Sequence, residues 1–121
     1  MSQIKSIVLY GGIDPMVQVL EIAKKPQVIV STPGRILDHL QKTKGFHLSN
    51  LKFLVLDEAD KLLNKDFEEQ FNHIIELIPK DRRAFLFSAT LTNRVDKLQR
   101  VSLKNPIRVE VNQKYQTVSN L

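Results

Sequence analysis

The sequence predicts an α/β domain with a mostly parallel sheet and helices on both faces. Three observations carry that expectation. Five short strand-like segments recur along the chain, and four of them are apolar at every position, the pattern of strands covered on both sides. The stretches between them repeat apolar residues at helical spacing, and two of them open on Asp-Pro or Thr-Pro, a cap followed by proline in the first turn. The five prolines and four glycines fall between the apolar segments, where breakers belong.

The elements follow in order. Ile7 to Tyr10 reads as the first strand, closed by Gly11-Gly12. Asp14-Pro15 opens a helix in which Val17, Leu20 and Ala23 or Lys24 share a face until Pro26 stops it. Val28 to Val30 is the second strand, and Thr32-Pro33 repeats the opening before Ile36, Leu37 and Leu40. After the third strand, Phe53 to Leu56, the residues Phe67, Phe71, Ile74, Ile75 and Ile78 make the longest apolar stripe, with Asp66 as the expected cap and Pro79 just past the end. The fourth strand is Phe85 to Phe87. Val95, Leu98 and Val101 form the last helical stripe before Asn105-Pro106, and Ile107 to Val111 alternates like an edge or half-covered strand. Strand and helix in alternation call for right-handed crossovers between parallel strands.

Composition narrows the chemistry. At 121 residues the chain is one domain, and 42% hydrophobic with 26% charged residues is ordinary for a packed globular protein. The net charge is +5; residues 1–60 hold 7 basic and 6 acidic side chains and residues 61–121 hold 11 and 7, so the excess is spread without a basic tail. Such a surplus favours a polyanion without demanding one. The absence of cysteine excludes disulfides, thiolate metal sites and thiol catalysis. No apolar run approaches the roughly 20 residues of a membrane span. The opening Met-Ser-Gln-Ile-Lys-Ser lacks a signal-peptide layout, so a soluble intracellular chain without membrane contact is expected.

In an open α/β sheet, ligands gather outside the carboxyl ends of the strands. The polar clusters fall there: Gly11-Gly12 after the first strand, Ser31-Thr32-Pro33-Gly34-Arg35 after the second, Asp57-Glu58-Ala59-Asp60 after the third and Ser88-Ala89-Thr90 after the fourth. An apolar strand that delivers Asp57 and Glu58 side by side suits a hard divalent cation such as Mg²⁺, which needs only one or two carboxylates besides water and phosphate. Asp57 then takes the metal side, directly or through water, and Glu58 orients or deprotonates the water that attacks a phosphoanhydride. The competing reading is an acidic helix N-terminus favoured by the macrodipole. Thr32 to Arg35 offers free helix N–H groups, a glycine, a hydroxyl and a guanidinium, a phosphate-binding surface whose competing reading is plain capping by Thr32. Gly11-Gly12 fits a strand-to-helix turn, and Ser88 and Thr90 fit either hydroxyl sensors or turn residues. His39, His47 and His73 lack metal-ligand spacing and read as structural or exposed, and Lys80, Arg82 and Arg83 read as a solvated loop.

Taken in order, Gly11-Gly12, Thr32-Pro33-Gly34-Arg35, Asp57-Glu58-Ala59-Asp60 and Ser88-Ala89-Thr90 resemble successive signatures of the DEAD-box RNA helicases. Lys44-Gly45-Phe46, Phe85-Leu86-Phe87-Ser88-Ala89-Thr90, Leu98-Gln99-Arg100 and Lys114-Tyr115-Gln116-Thr117-Val118 are most similar to the nucleolar subgroup of ribosomal RNA processing. The resemblance implies an incomplete RecA-like domain over residues 1–112 and the start of an interdomain linker over 113–121. It implies ATP and Mg²⁺ as cofactors, RNA as partner and a nucleolar or nuclear location, with the cytoplasm as the alternative. Carried onto matching positions, Asp57 holds Mg²⁺ through water, Glu58 positions the hydrolytic water, and Asp60, Ser88 and Thr90 couple nucleotide state to a second RecA-like domain. Gly11, Gly12, Thr32, Gly34 and Arg35 contact the RNA sugar-phosphate backbone, which carries no sequence information directly.

The departures from that pattern are as definite. The 121 residues contain no phosphate loop G-x-x-x-x-G-K-[ST], no adenine-reading glutamine motif and no second domain with its arginine finger. The expectation is therefore a fragment of an ATP-dependent RNA helicase that is inactive in isolation. Its fourth strand would lack a neighbour on the way to Ile107–Val111, leaving an open sheet edge prone to self-association. The alternative is a non-enzymatic RNA- or protein-binding module that has lost its nucleotide site.

Overall fold

The computed structural model describes residues 3–90, 92–103, 106, 107 and 109. Among these, four strands and four helices alternate: β1 (Ser6–Leu9), α1 (Pro15–Ala23), β2 (Val28–Ser31), α2 (Pro33–Lys42), β3 (Phe53–Leu56), a 3₁₀ turn (Ala59–Leu62), α3 (Lys65–Leu77), β4 (Arg83–Leu86) and α4 (Asn93–Ser102). The pairing is parallel throughout. β1 lies against β2 with Ile7 opposite Ile29, and β3 lies against β4 with Val55 opposite Phe85. The described strands form two separate two-stranded sheets, so each of the four is an edge strand. Of the expected fifth strand, Ile107 and Val109 are exposed and in no strand, and its other residues lie outside the described ones, as do residues 113–121, where the linker is expected.

Local chemistry explains most element ends. Asp14 caps α1 as expected, its Oδ1 accepting from the Met16 N–H at 3.0 Å with Pro15 in the first turn. At the other end Lys25, at φ 55°, takes the left-handed position that closes a helix and sends its N–H back to the Ile22 carbonyl at 3.0 Å. The cap of α3 is a correction: it is Asn64, whose Oδ1 accepts from Phe67 N–H at 2.7 Å, and Asp66 sits inside the first turn. An amide two residues earlier reaches the orphan N–H directly, while Asp66 faces the helix dipole from within. Thr92 caps α4 through the Val95 N–H.

The core lies on one side of each strand pair. Ile7 and Leu9 pack with Ile22 of α1, and Ile29, Ile36 and Phe46 close around them. Ala59, Phe67, Phe71 and Leu98 form the second cluster, against which Leu56 and Leu86 pack. The alternate residues Val8, Val30, Phe53, Val55, Phe85 and Phe87 are exposed, each by 46% or more. The strand composition suits two covered faces; the described helices supply one. Of the expected α4 stripe, Val95 and Leu98 are buried, and the side chain of Val101 lies outside the described ones. The two clusters are bridged where α2 meets α3: a Cβ built on Gly34 would stand 3.2 Å from the Gln70 amide nitrogen.

Candidate functional site

The carboxyl ends of β1 and β2 bring the first two clusters together. The Leu9 carbonyl accepts from the Thr32 N–H at 3.2 Å, which ties the exits of the two strands to each other. Gly12 follows at φ 88°, a conformation open to glycine and strained for other residues. Gly11 faces α2, with a guanidinium nitrogen of Arg35 4.0 Å from the position its Cβ would take. Thr32 holds extended backbone at the head of α2, and its carbonyl accepts the Ile36 N–H, but its hydroxyl makes no capping bond. Side-chain capping therefore does not account for this threonine. An exposed hydroxyl, the α2 N-terminus, the bare backbone of Gly11 and the Arg35 guanidinium share one rim, a set of donors suited to phosphate.

Beneath that rim runs a buried polar chain that sequence reasoning missed. Gln18 of α1 donates its Nε2–H to the Tyr10 carbonyl at 2.9 Å, so its Oε1 is left to accept from His39 Nε2, also at 2.9 Å. That fixes the neutral Nε2–H tautomer, and Nδ1 accepts from the Thr43 hydroxyl at 2.7 Å. Burial, and next the charge of Arg35, hold the His39 imidazolium below the usual histidine range. The structural reading of His39 agrees with its burial. The available signal for Gln18 was its place one helical turn before Ile22, on the face α1 buries.

β3 and β4 unite the other two clusters. Phe87 N–H donates to the Leu56 carbonyl at 2.8 Å and Ala59 N–H to the Phe87 carbonyl at 3.0 Å, so the acidic turn is laced to the end of β4. Asp57 Oδ1 accepts the Glu58 N–H at 2.9 Å, and Glu58 adopts a left-handed backbone, φ 51° and ψ 46°. This twist drops Ala59 into the core, fully buried, and leaves the side chains of Asp57 and Glu58 exposed. Asp60 Oδ2 accepts from the Thr90 hydroxyl at 3.3 Å, and the Ser88 hydroxyl donates to the Thr90 carbonyl at 2.8 Å. Lys61 pairs with Glu58 at 3.3 Å, both exposed. The donor set is all oxygen, which suits Mg²⁺. Among the described residues no group of three or more His, Asp or Glu is placed to hold a metal ion by itself.

The four clusters thus form two joined pairs, connected through the contact of α2 with α3. Of the remaining candidates, His47 and His73 are exposed. Arg82 is half-buried and donates to the carbonyls of Pro79 and Ser102, a loop anchor, while Lys80 and Arg83 are exposed. No helix among the described residues is long and apolar enough to cross a membrane.

Comparison with known proteins agrees with this layout. The profile described as DEAD/DEAH box helicase matches residues 1–98. "Probable ATP-dependent RNA helicase DDX47" of Homo sapiens is 57% identical over 118 residues, 98% of this chain and 26% of that protein. "ATP-dependent rRNA helicase rrp3" of Emericella nidulans is 53% identical over 98% of this chain and 25% of its own length. The chain thus spans about a quarter of the length of the curated relatives it matches. A crystal structure of a DEAD box protein from the hyperthermophile Methanococcus jannaschii superposes with a TM-score of 0.76 at 35% identity, over 86% of this chain and 28% of that one. With its motif order, its parallel strand pairs and these likenesses in agreement, the chain belongs to the DEAD/DEAH box helicase family.

Proposed function

We propose that this chain contributes the RNA-facing rim and the acidic turn of an ATP-dependent RNA helicase, one that couples RNA-stimulated ATP hydrolysis to remodelling of RNA duplexes. Its setting is ribosomal RNA processing in the nucleolus, in keeping with the rRNA helicase names of its relatives. The observation that carries this reading is the pairing of the clusters at strand ends: the donor-rich turn of Gly11 beside Arg35, and the Asp57–Asp60 turn laced to Ser88 and Thr90.

In this reading Gly11, Gly12, Thr32, Gly34 and Arg35 grip the sugar-phosphate backbone without reading bases. Asp57 holds Mg²⁺ through water, and Glu58 orients a water molecule toward the terminal phosphate of ATP. The metal neutralises phosphate charge when bound. Asp60, Ser88 and Thr90 link that turn to β4 and, through it, to a second RecA-like domain. Because the 121 residues hold no phosphate loop, the chain alone is expected to show no ATP turnover.

The test is binding of fluorescein-labelled RNA 12-mers of unrelated sequence across a salt series. The expected result is similar affinity for each sequence, weakening with salt, and a loss of about tenfold on Arg35→Ala. Marked sequence preference, or full affinity in R35A, would overturn the RNA assignment, and RNA-stimulated ATP turnover by the chain alone would overturn its inactivity.

A further inference from the structure

We propose that Gln18 and His39 are positioning residues that hold the Gly11–Gly12 turn in register with the N-terminus of α2. The inference rests on the RNA-backbone reading of that rim, but its structural content can be tested separately.

A glycine pair has no side chains with which to hold itself, and a turn that presents bare backbone to phosphate loses affinity if it wanders. The chain entering this turn is held at two successive carbonyls. Leu9 accepts from Thr32, and Tyr10 accepts from Gln18. Both holds lead to the same helix, since Thr32 heads α2 and Gln18 is held by His39 of α2. Arg35 and His39 are four residues apart and therefore share a face of α2. One reaches toward Gly11; the other, a turn deeper, secures the carbonyl just before it. The geometry is that of a two-point clamp.

The chemistry argues for direction rather than bulk. Gln18 and His39 are 3% and 2% exposed, and polar groups so buried are costly unless every bond is made. Here they are made, from Thr43 through His39 and Gln18 to Tyr10. Two apolar side chains would fill the same space without fixing where the Tyr10 carbonyl points. Neither residue lies on the exposed rim, so each acts through the turn it holds.

The experiment compares Gln18→Leu, His39→Leu, the double variant and His39→Gln in this chain. Oligouridine affinity is read by fluorescence anisotropy, the Gly11 and Gly12 amides by ¹H–¹⁵N correlation spectra, and folding by circular dichroism. Q18L and H39L are each expected to weaken binding about tenfold and to shift both glycine amides, and the double variant to be no worse than either single, because all three break one chain of bonds. H39Q, whose amide can donate to Gln18 from the same place, is expected to bind within about twofold of the unsubstituted chain. Folded leucine variants with unchanged affinity and unchanged glycine amides would overturn the proposal, as would failure of H39Q to rescue. If the unsubstituted chain does not bind oligouridine, the RNA reading fails and the glycine amides decide: movement in Q18L supports the clamp and stillness overturns it. Should the leucine variants not fold, the ring nitrogens of His39 in the unsubstituted chain decide, an Nε2–H tautomer supporting the proposal and an Nδ1–H tautomer refuting it.

Discussion

The Thr90 hydroxyl donates to Oδ2 of Asp60 across 3.3 Å and 30 residues of sequence, joining the turn that leaves β3 to the turn that leaves β4. The bond is long and solvent-facing, so it contributes little to stability, yet it is the side-chain link between two of the four motif clusters. Thr90→Ala and Asp60→Asn should each lower the unfolding free energy by no more than about 1 kcal/mol, and Thr90→Ser should leave it unchanged. Urea denaturation measures this. A loss well beyond that range would mean that the bond holds the fold and does not merely connect its turns.

Glu58 sits in the left-handed region, where a side chain is strained by roughly 1 kcal/mol relative to glycine. Replacing it with glycine should stabilise the chain by about that amount, less a few tenths for the exposed Lys61 pair that is lost. The same change removes the carboxylate assigned to the hydrolytic water. Stability should thus rise at the one position where the proposed hydrolytic carboxylate is lost. A destabilised Glu58→Gly would show that the backbone there is held without strain.

His39 supplies a pH dependence of definite sign. Its neutral form is favoured in the folded chain by burial first and by Arg35 next. The unfolded chain takes up the proton near the ordinary value of about 6.5, whereas the folded chain takes it up only at lower pH. The stability from neutral His39 is therefore complete above that range and drains away as the pH falls through the window beneath it. Denaturant midpoints from pH 8 down to about pH 5 should decline on that limb, and His39→Gln should flatten the slope, because it donates without titrating. An unchanged slope in H39Q would assign the decline to other groups.

Phe71 is 3% exposed and its ring stacks on Phe67 at 5.5 Å, at the centre of the cluster that supports the acidic turn through Ala59. Phe71→Ala should cost about 3–5 kcal/mol, a large share of the roughly 5–15 kcal/mol typical of a whole domain. Loss of the cooperative transition, or a fall of this size in its midpoint, checks the expectation; a cost below about 1 kcal/mol would contradict the packing.

The uncovered side of the strands predicts self-association. Val55 and Phe85 are register partners, 57% and 46% exposed, beside Val8, Val30, Phe53 and Phe87 on the same kind of open face. Exposed apolar strand faces of this kind, with every described strand an edge, seek a partner. Sedimentation velocity should show mass increasing with concentration, and the double change Val55→Thr with Phe85→Thr should shift the chain toward monomer. A strictly monomeric chain at high concentration would refute this.

Much of the architecture was legible in the residues themselves. Strand positions and the Asp14 cap depend on periodicity and turn chemistry within a few neighbouring residues, and the motif order is linear by nature. The Asp66 expectation failed because Asn64, two positions earlier, already starts the helix by accepting the Phe67 N–H, and a local pattern does not rank two capping residues so close together. The strand composition alone also did not say how much cover the described helices provide.

Residue order alone therefore settles local matters: which segments are strands or helices, where most of them stop, and which four clusters stand at strand ends. Tertiary structure decided which clusters meet, setting Gly11 against Arg35 and Asp60 against Thr90, put Gln18 and His39 out of water together, and placed Glu58 in a left-handed turn so that Ala59 could be buried. The reason is separation along the chain. Gln18 and His39 are 21 residues apart and Asp60 and Thr90 are 30, so their bonds exist only after the parallel crossovers have brought the strand ends side by side.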